Sequence, residues 1–243
     1  MEKLNLLDLI ANGTMDAEIA ALLSAVGNEQ RSLLVVALPR AAGKSTIVEA
    51  TIDCRSLGVK RHDLSGEMLQ MDQLMEVKEG GYVVVAEFAP HDRGSYIWDN
   101  RARKALECST AGYSLAASIH ATSMEEAIAL VCKDIAAGDH LTAVFQYVVY
   151  IERFGEGDPD GPNTFYRRIK SIHEIEDVVD GNPKSKTLFW WNQNEDNFNK
   201  MNSPMLLNIT TEDLHERAQK FQSLVNNAEH SSKELLAILP NTK

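Results

Sequence analysis

Residues 39–46 read PRAAGKST, and the residue types at its end are those a bound phosphate needs. Gly43, Lys44 and Ser45, with Thr46 behind them, fall in register with the phosphate-loop string GxxxxGK[ST]. In such a loop Lys44 would place its ammonium on the β- and γ-phosphates of ATP, and the Ser45 hydroxyl would ligate Mg²⁺. The backbone N–H groups of residues 41 to 46 would surround the anion, helped by the partial positive charge of a helix start. Pro39, Arg40, Ala41 and Ala42 complete the expected binding segment. Where the string opens with glycine, this chain has Leu38. If residue 38 must adopt φ > 0, a leucine there costs about 1–2 kcal/mol. A strand–turn–helix with a chance GKS is the competing reading of this stretch.

Two further polar residues share a position. Glu87 ends the apolar run YVVVAE, and His120 ends YSLAASIH. Polar side chains at the carboxyl ends of parallel strands open on one crevice. Glu87 would there position or activate water. His120 would sense the γ-phosphate and pass its presence to the strand and helix around it. Taken singly, each is also an ordinary strand-end side chain. Their recurrence after the loop, in the order loop, acid, histidine, is what joins them.

The elements that must hold these residues are legible as periodicities. DAEIAALLSAV places Ile19, Leu22, Leu23 and Val26 at helical spacing. SLLVVAL is a continuous apolar run of strand length, as expected of a strand buried on both faces. GKSTIVEAT opens a helix, GVKRHDL carries a short strand, and residues 67 to 78 read as a helix with Met68, Met71 and Met75 inward. RARKALECSTAG reads as a helix closed by Gly112. SMEEAIALVCKDIAAG is a helix capped by Ser123, with Glu126 three residues on in a capping-box pattern. AVFQYVVYIERF and TFYRRIKSIHEI pair as a hairpin across an acidic Gly/Pro-rich connection. A last helix spans about 211 to 228. The order predicts an α/β fold: a central parallel sheet, antiparallel strands at one edge and a helical C-terminal appendage. A shift to polar composition with embedded aromatics divides the chain into a core of residues 1–180 and a C-terminal segment of residues 181–243.

Composition narrows the function classes. The chain has 243 residues, 44% of them hydrophobic, and its formal charge is 24 − 35 = −11. Such a balance disfavours a general nucleic-acid or anionic-membrane binder. Cys54, Cys108 and Cys132 form no CxxC pair, so neither a disulfide framework nor a zinc ribbon is expected. No apolar run approaches the ~18 residues of a membrane span, and the N-terminus lacks the pattern of a signal peptide, so the expected compartment is the cytoplasm. EGDPDG, with Glu156, Asp158 and Asp160, lacks the ligand run of a calcium loop and reads as a hairpin tip.

STAGYSLAASIHATSMEEAIALV resembles the His-box segment of the ATPases that drive type II and type IV secretion and type IV pili. YVVVAEF is similar to their acid-ended second strand. DAEIAALLSAVGNEQRSLLVVALPRAAGKST resembles the helix, strand and phosphate loop of the tight-adherence pilus and conjugation branch. The likeness extends over about residues 14 to 225, through the hairpin and LFWWNQNEDNF. It implies a RecA-like P-loop core that binds ATP and Mg²⁺ and hydrolyses ATP. It also implies a homo-oligomer, by expectation a hexamer, working on a membrane platform or pilus or secretion protein at the inner membrane face. The departures are specific. Leu38 and Ala41 replace loop glycines, Ala86 precedes the acid, and Tyr113 follows Gly112 where the family has histidine. The arginine after the acid is missing, with Arg93, Arg101 and Arg103 as candidate substitutes. The stretch between Lys44 and Glu87 is short, with Asp63 and Glu67 as candidate acids. The family's N-terminal domain is expected to be absent. These losses motivate an alternative, a weak or inactive nucleotide-binding relative serving as an assembly or regulatory subunit.

Overall fold

A computed structural model describes residues 3–90, 95–155 and 165–227. Arg93 and the acidic hairpin tip lie outside the described residues. Among those described, nine strands form one sheet. They are β1 (Leu33–Val36), β2 (Arg61–Asp63), β3 (Gly81–Phe88), β4 (Tyr96–Ile97), β5 (Tyr113–Ile119), β6 (Tyr147–Phe154), β7 (Tyr166–Val179), β8 (Asn182–Asn192) and β9 (Asn197–Lys200). The order runs β2-β3-β5-β1-β6-β7-β8-β9, with β4 beside the end of β3. Every pairing from β2 to β6 is parallel, and those from β6 to β9 are antiparallel. This is the expected mixed α/β sheet with its antiparallel side. β7 turns through Asp180–Gly181 straight into β8, so the sheet crosses residue 180 without interruption.

The four residues of β1 are wholly buried, because each face of the sheet is covered. On one face lie α1 (Leu6–Ala11), α2 (Ala17–Asn28), α3 (Lys44–Ile52) and α8 (Thr211–Asn226). On the other lie α4 (Met68–Val77), α5 (Asp99–Glu107), α6 (Met124–Ala129) and α7 (Gly138–Thr142). α2 presents the expected stripe, with Ile19, Leu22, Leu23 and Val26 all buried. Its Gly27 lets α3 approach closely: a Cβ there would stand 2.0 Å from the Thr51 carbonyl oxygen.

Several local expectations change. On α4 Met71 and Leu74 are buried and Met75 packs partly buried against the core, while Met68 is exposed, because the helix lies at the sheet edge and buries a narrow stripe. The helix after Ser123 ends its α-helical course at Ala129 and continues as one π-helical turn, Leu130–Asp134. Ser123 does cap the Glu126 N–H, but the Glu126 carboxylate turns to the Thr122 N–H at 2.7 Å, so the box is half formed. α5 closes through a 3₁₀ turn into Gly112, whose φ is 91°.

Candidate functional site

The polar site opens where β1, β3 and β5 end. β5 separates β1 from β3, so Glu87 is two strands from the loop rather than beside it. A bulge closes that gap. Val85 pairs with Ala117 and Phe88 with Ile119, so three steps on β3 match two on β5. The extra residue, Ala86, resets the alternation of the strand. Phe88 thereby stays in the core with Val83 and Val85, and Glu87 turns toward α3. Ser118 Oγ donates to the Ala86 carbonyl at 2.7 Å and satisfies the bulged backbone.

Between β1 and α3 the loop carries alternating backbone hands: φ is 57° at Ala41 and 100° at Gly43, and negative between and beside them. That alternation is the geometry of an anion nest, in which successive N–H groups converge. No hydrogen bond among the described residues occupies the N–H groups of residues 40 to 46. Leu38 keeps a negative φ and points to solvent, 56% exposed. The strain assigned to position 38 therefore falls on Ala41. At Gly43 both reasons for glycine hold, since a Cβ would meet Arg167 Cδ at 3.1 Å and Ile151 Cδ1 at 3.3 Å.

Lys44, Glu87 and His120 meet. Lys44 Nζ lies 3.5 Å from Glu87 Oε1 and 3.2 Å from His120 Nε2, and His120 Nε2 lies 2.8 Å from Glu87 Oε1. Lys44 and Glu87 are buried, while His120 is partly open. His120 Nδ1 stands 3.1 Å from the Ala37 carbonyl oxygen and 3.0 Å from that of Leu38. Lys44 Nζ also lies 3.3 Å from Nδ1, so the ammonium faces both ring nitrogens. Burial pushes the Lys44 ammonium below its ordinary pKa, and the Glu87 charge opposes that shift. Although close to Lys44 Nζ and His120 Nε2, Glu87 Oε1 has no well-directed hydrogen-bond donor. Its contact with Lys44 is an attraction between charges, and a directional partner is still wanting.

A polar cavity of about 310 Å³ adjoins these groups. Arg40 through Thr46 line it, with Glu87, Tyr96, His120 and Arg167. Of the expected segment only Pro39 is not in the lining. Of the expected substitute arginines, Arg103 faces Glu107 at 3.8 Å on α5, and neither it nor Arg101 reaches the cavity. Sequence reasoning missed Tyr96, which sits on β4 beside Glu87, and Arg167 on β7. The only trace of Arg167 was its place in a predicted strand, whose register a long connection left open. Asp63 lines a neighbouring, less polar cavity of about 150 Å³ with Ser45 and Ala86, and its carboxylate is engaged by Arg61.

The donors fit a polyphosphate with Mg²⁺: unoccupied N–H groups, Lys44 at the helix start, and a buried carboxylate oxygen lacking a directed partner. Among the described residues no group of three His, Cys, Asp or Glu side chains could hold a metal ion alone. A Mg²⁺ here would rest on Ser45 and phosphate oxygens.

No protein-family model matches this sequence, and no curated protein matches it either. Among solved structures, the chain is similar to the VirB11 ATPase from the Brucella suis type IV secretion system in complex with sulphate. The TM-score is 0.46 and the identity 14%, over 70% of this chain and 54% of that one. The chain thus spans about half the length of that protein. Fold and site together define an α/β protein whose mostly parallel sheet carries a glycine–lysine–serine loop at the end of a central strand.

Proposed function

We propose that the chain is a P-loop ATPase with a RecA-like core, which hydrolyses ATP to drive movement between subunits in pilus assembly, secretion or conjugation. The observation that carries the reading is the convergence of Lys44, Glu87 and His120 on the cavity lined by the loop. Lys44 binds the β- and γ-phosphates together with the N–H groups of residues 41 to 46. Ser45 would hold Mg²⁺, which would supply positive charge against the phosphate oxygens. Once Lys44 turns to phosphate, Glu87 Oε1 is released to hold a water and accept its proton. His120 Nε2, between ammonium and carboxylate, registers whether Lys44 is engaged, and β5 and α6 carry that state away from the site.

The resemblance noted from the sequence motivates a ring, by expectation a hexamer, acting with a membrane platform protein from the cytoplasmic side. Among the described residues no helix is long and apolar enough to cross a membrane. The core of residues 1–180 would carry the nucleotide and residues 181–243 a peripheral part. One observation favours a second reading, a nucleotide-binding subunit without turnover: the carboxylate that must hold water is already engaged by Lys44 and His120. Phosphate release from Mg-ATP decides between them, measured with oligomeric mass with and without nucleotide. Lys44→Ala and Glu87→Gln should each lower turnover by roughly 10²-fold or more. Turnover that survives both changes refutes the site, and tight binding without turnover selects the second reading.

A further inference from the structure

We propose that Arg167, backed by Arg153, is a phosphate-binding residue supplied to the site from within the same chain, contacting the terminal phosphate of the bound nucleotide. The inference rests on the triphosphate reading above and adds a residue to it. Its basis is the hairpin of β6 and β7. β1 stops at Val36, opposite Tyr150, and β6 runs on for four more residues paired to β7. That end of the hairpin therefore overhangs the loop. Arg167 lies against it, its Nε donating to the Ala41 carbonyl at 3.0 Å and its stem crowding Gly43. The bond holds the left-handed residue of the nest and aims the guanidinium into the cavity, whose lining includes Arg167.

Arg153 and Arg167 are paired directly across the two strands. Directly opposed residues of an antiparallel pair share a face, where like charges destabilise. Both guanidinium groups lie over the Phe165 ring, at 5.1 and 4.7 Å from its centroid. Neither forms an ion pair among the described residues. Arg153 Nη1 is buried with no hydrogen-bond partner. Arg167 has four Nη hydrogens left once Nε is engaged. Burial and the neighbouring Arg153 both push the Arg167 guanidinium below its ordinary pKa. Of these two facing cations Arg167 is bonded to the anion nest, and among the described residues the pair has no anion to answer it. A phosphate accepts a planar fork bidentately, which an ammonium does not offer. The contrast is Arg168, next in the chain on β7, whose charge is answered by Asp196 at 2.8 Å.

The test is equilibrium binding of Mg-ATP, Mg-ADP and inorganic tripolyphosphate to the full chain, with thermal melts as a check on folding. Arg167→Ala should weaken ATP and tripolyphosphate at least tenfold and ADP several-fold less. Arg167→Lys, which keeps stem and charge but not the fork, should recover part of the loss and carries the test if the alanine variant does not fold. Arg168→Ala should leave all three affinities within twofold. Binding by Arg167→Ala equal to wild type overturns this inference alone, and an equal loss for ATP and ADP overturns the terminal-phosphate assignment. A wild-type chain that binds none of the three ligands overturns the nucleotide reading and this inference with it.

Discussion

At the scale of single residues, the loop departs from the usual string less than its letters suggest. A glycine is needed where φ is positive, and Leu38 does not occupy such a position. Its side chain stands in solvent and its backbone in ordinary territory. The misfit is Ala41, left-handed at φ 57° and held there by Arg167. Two substitutions separate these positions. Ala41→Gly removes left-handed strain of about 1–2 kcal/mol and gives back part of it as unfolded-chain entropy, so a net gain of about 0.5–1 kcal/mol is expected. Leu38→Gly has no strain to remove and should lose about 0.5–1 kcal/mol. Denaturant midpoints of the two variants check this directly. Two changes of like sign would mean that the loop distributes its strain otherwise.

At the scale of elements, the bulge in β3 and the hairpin of β6 and β7 decide what the site contains. Regular pairing would have put Glu87 and Phe88 on exchanged faces, an acid in the core and an aromatic ring at the phosphate loop. β7 also carries a titration with a readable sign. His173 is buried between Ser171 Oγ at 2.9 Å and Thr187 Oγ1 at 3.3 Å. Burial holds its pKa below the ordinary 6.5, against a small opposing pull from Glu125. The unfolded chain therefore binds this proton first as pH falls. Stability from neutral His173 is complete above about pH 6.5 and is lost as pH drops through the lower folded value. Melting temperatures from pH 7.5 to 5 should fall for this reason, and His173→Gln should flatten the slope. An unchanged slope would assign the acid sensitivity to other groups.

At the scale of the whole molecule, the order β2-β3-β5-β1-β6 brings strands far apart in sequence to one carboxyl edge. The two helical layers then hold that edge rigid. Glu174, wholly buried, accepts from Tyr147 Oη at 2.6 Å and from the Met205 and Leu206 N–H groups. That ties the segment after β9 to the sheet. α8 packs on α2 through Leu214, Ala218 and Phe221, and Arg217 Nη1 reaches Ser24 Oγ at 3.0 Å. A ligand bound at the edge should therefore stabilise the cooperative unit. At a hundredfold excess over Kd, Mg-ATP should add about 2.7 kcal/mol, which for a chain of this length raises Tm by roughly 5–10 °C. Differential scanning fluorimetry with and without Mg-ATP reads this shift, and Lys44→Ala should remove most of it.

Buried strands, amphipathic helices and the alignment of Gly43, Lys44 and Ser45 were legible in the sequence because local periodicity and turn chemistry encode them. The α/β class followed from their alternation, and so did the candidacy of Glu87 and His120 as strand-end residues. Which strands lie side by side, where β3 takes an extra residue, and which arginine overhangs the loop depend on contacts between segments tens of residues apart. Arg167 stands 126 residues from the Ala41 carbonyl it holds. No local pattern records that distance being closed, because the free energy that closes it comes from burying two faces of a whole sheet.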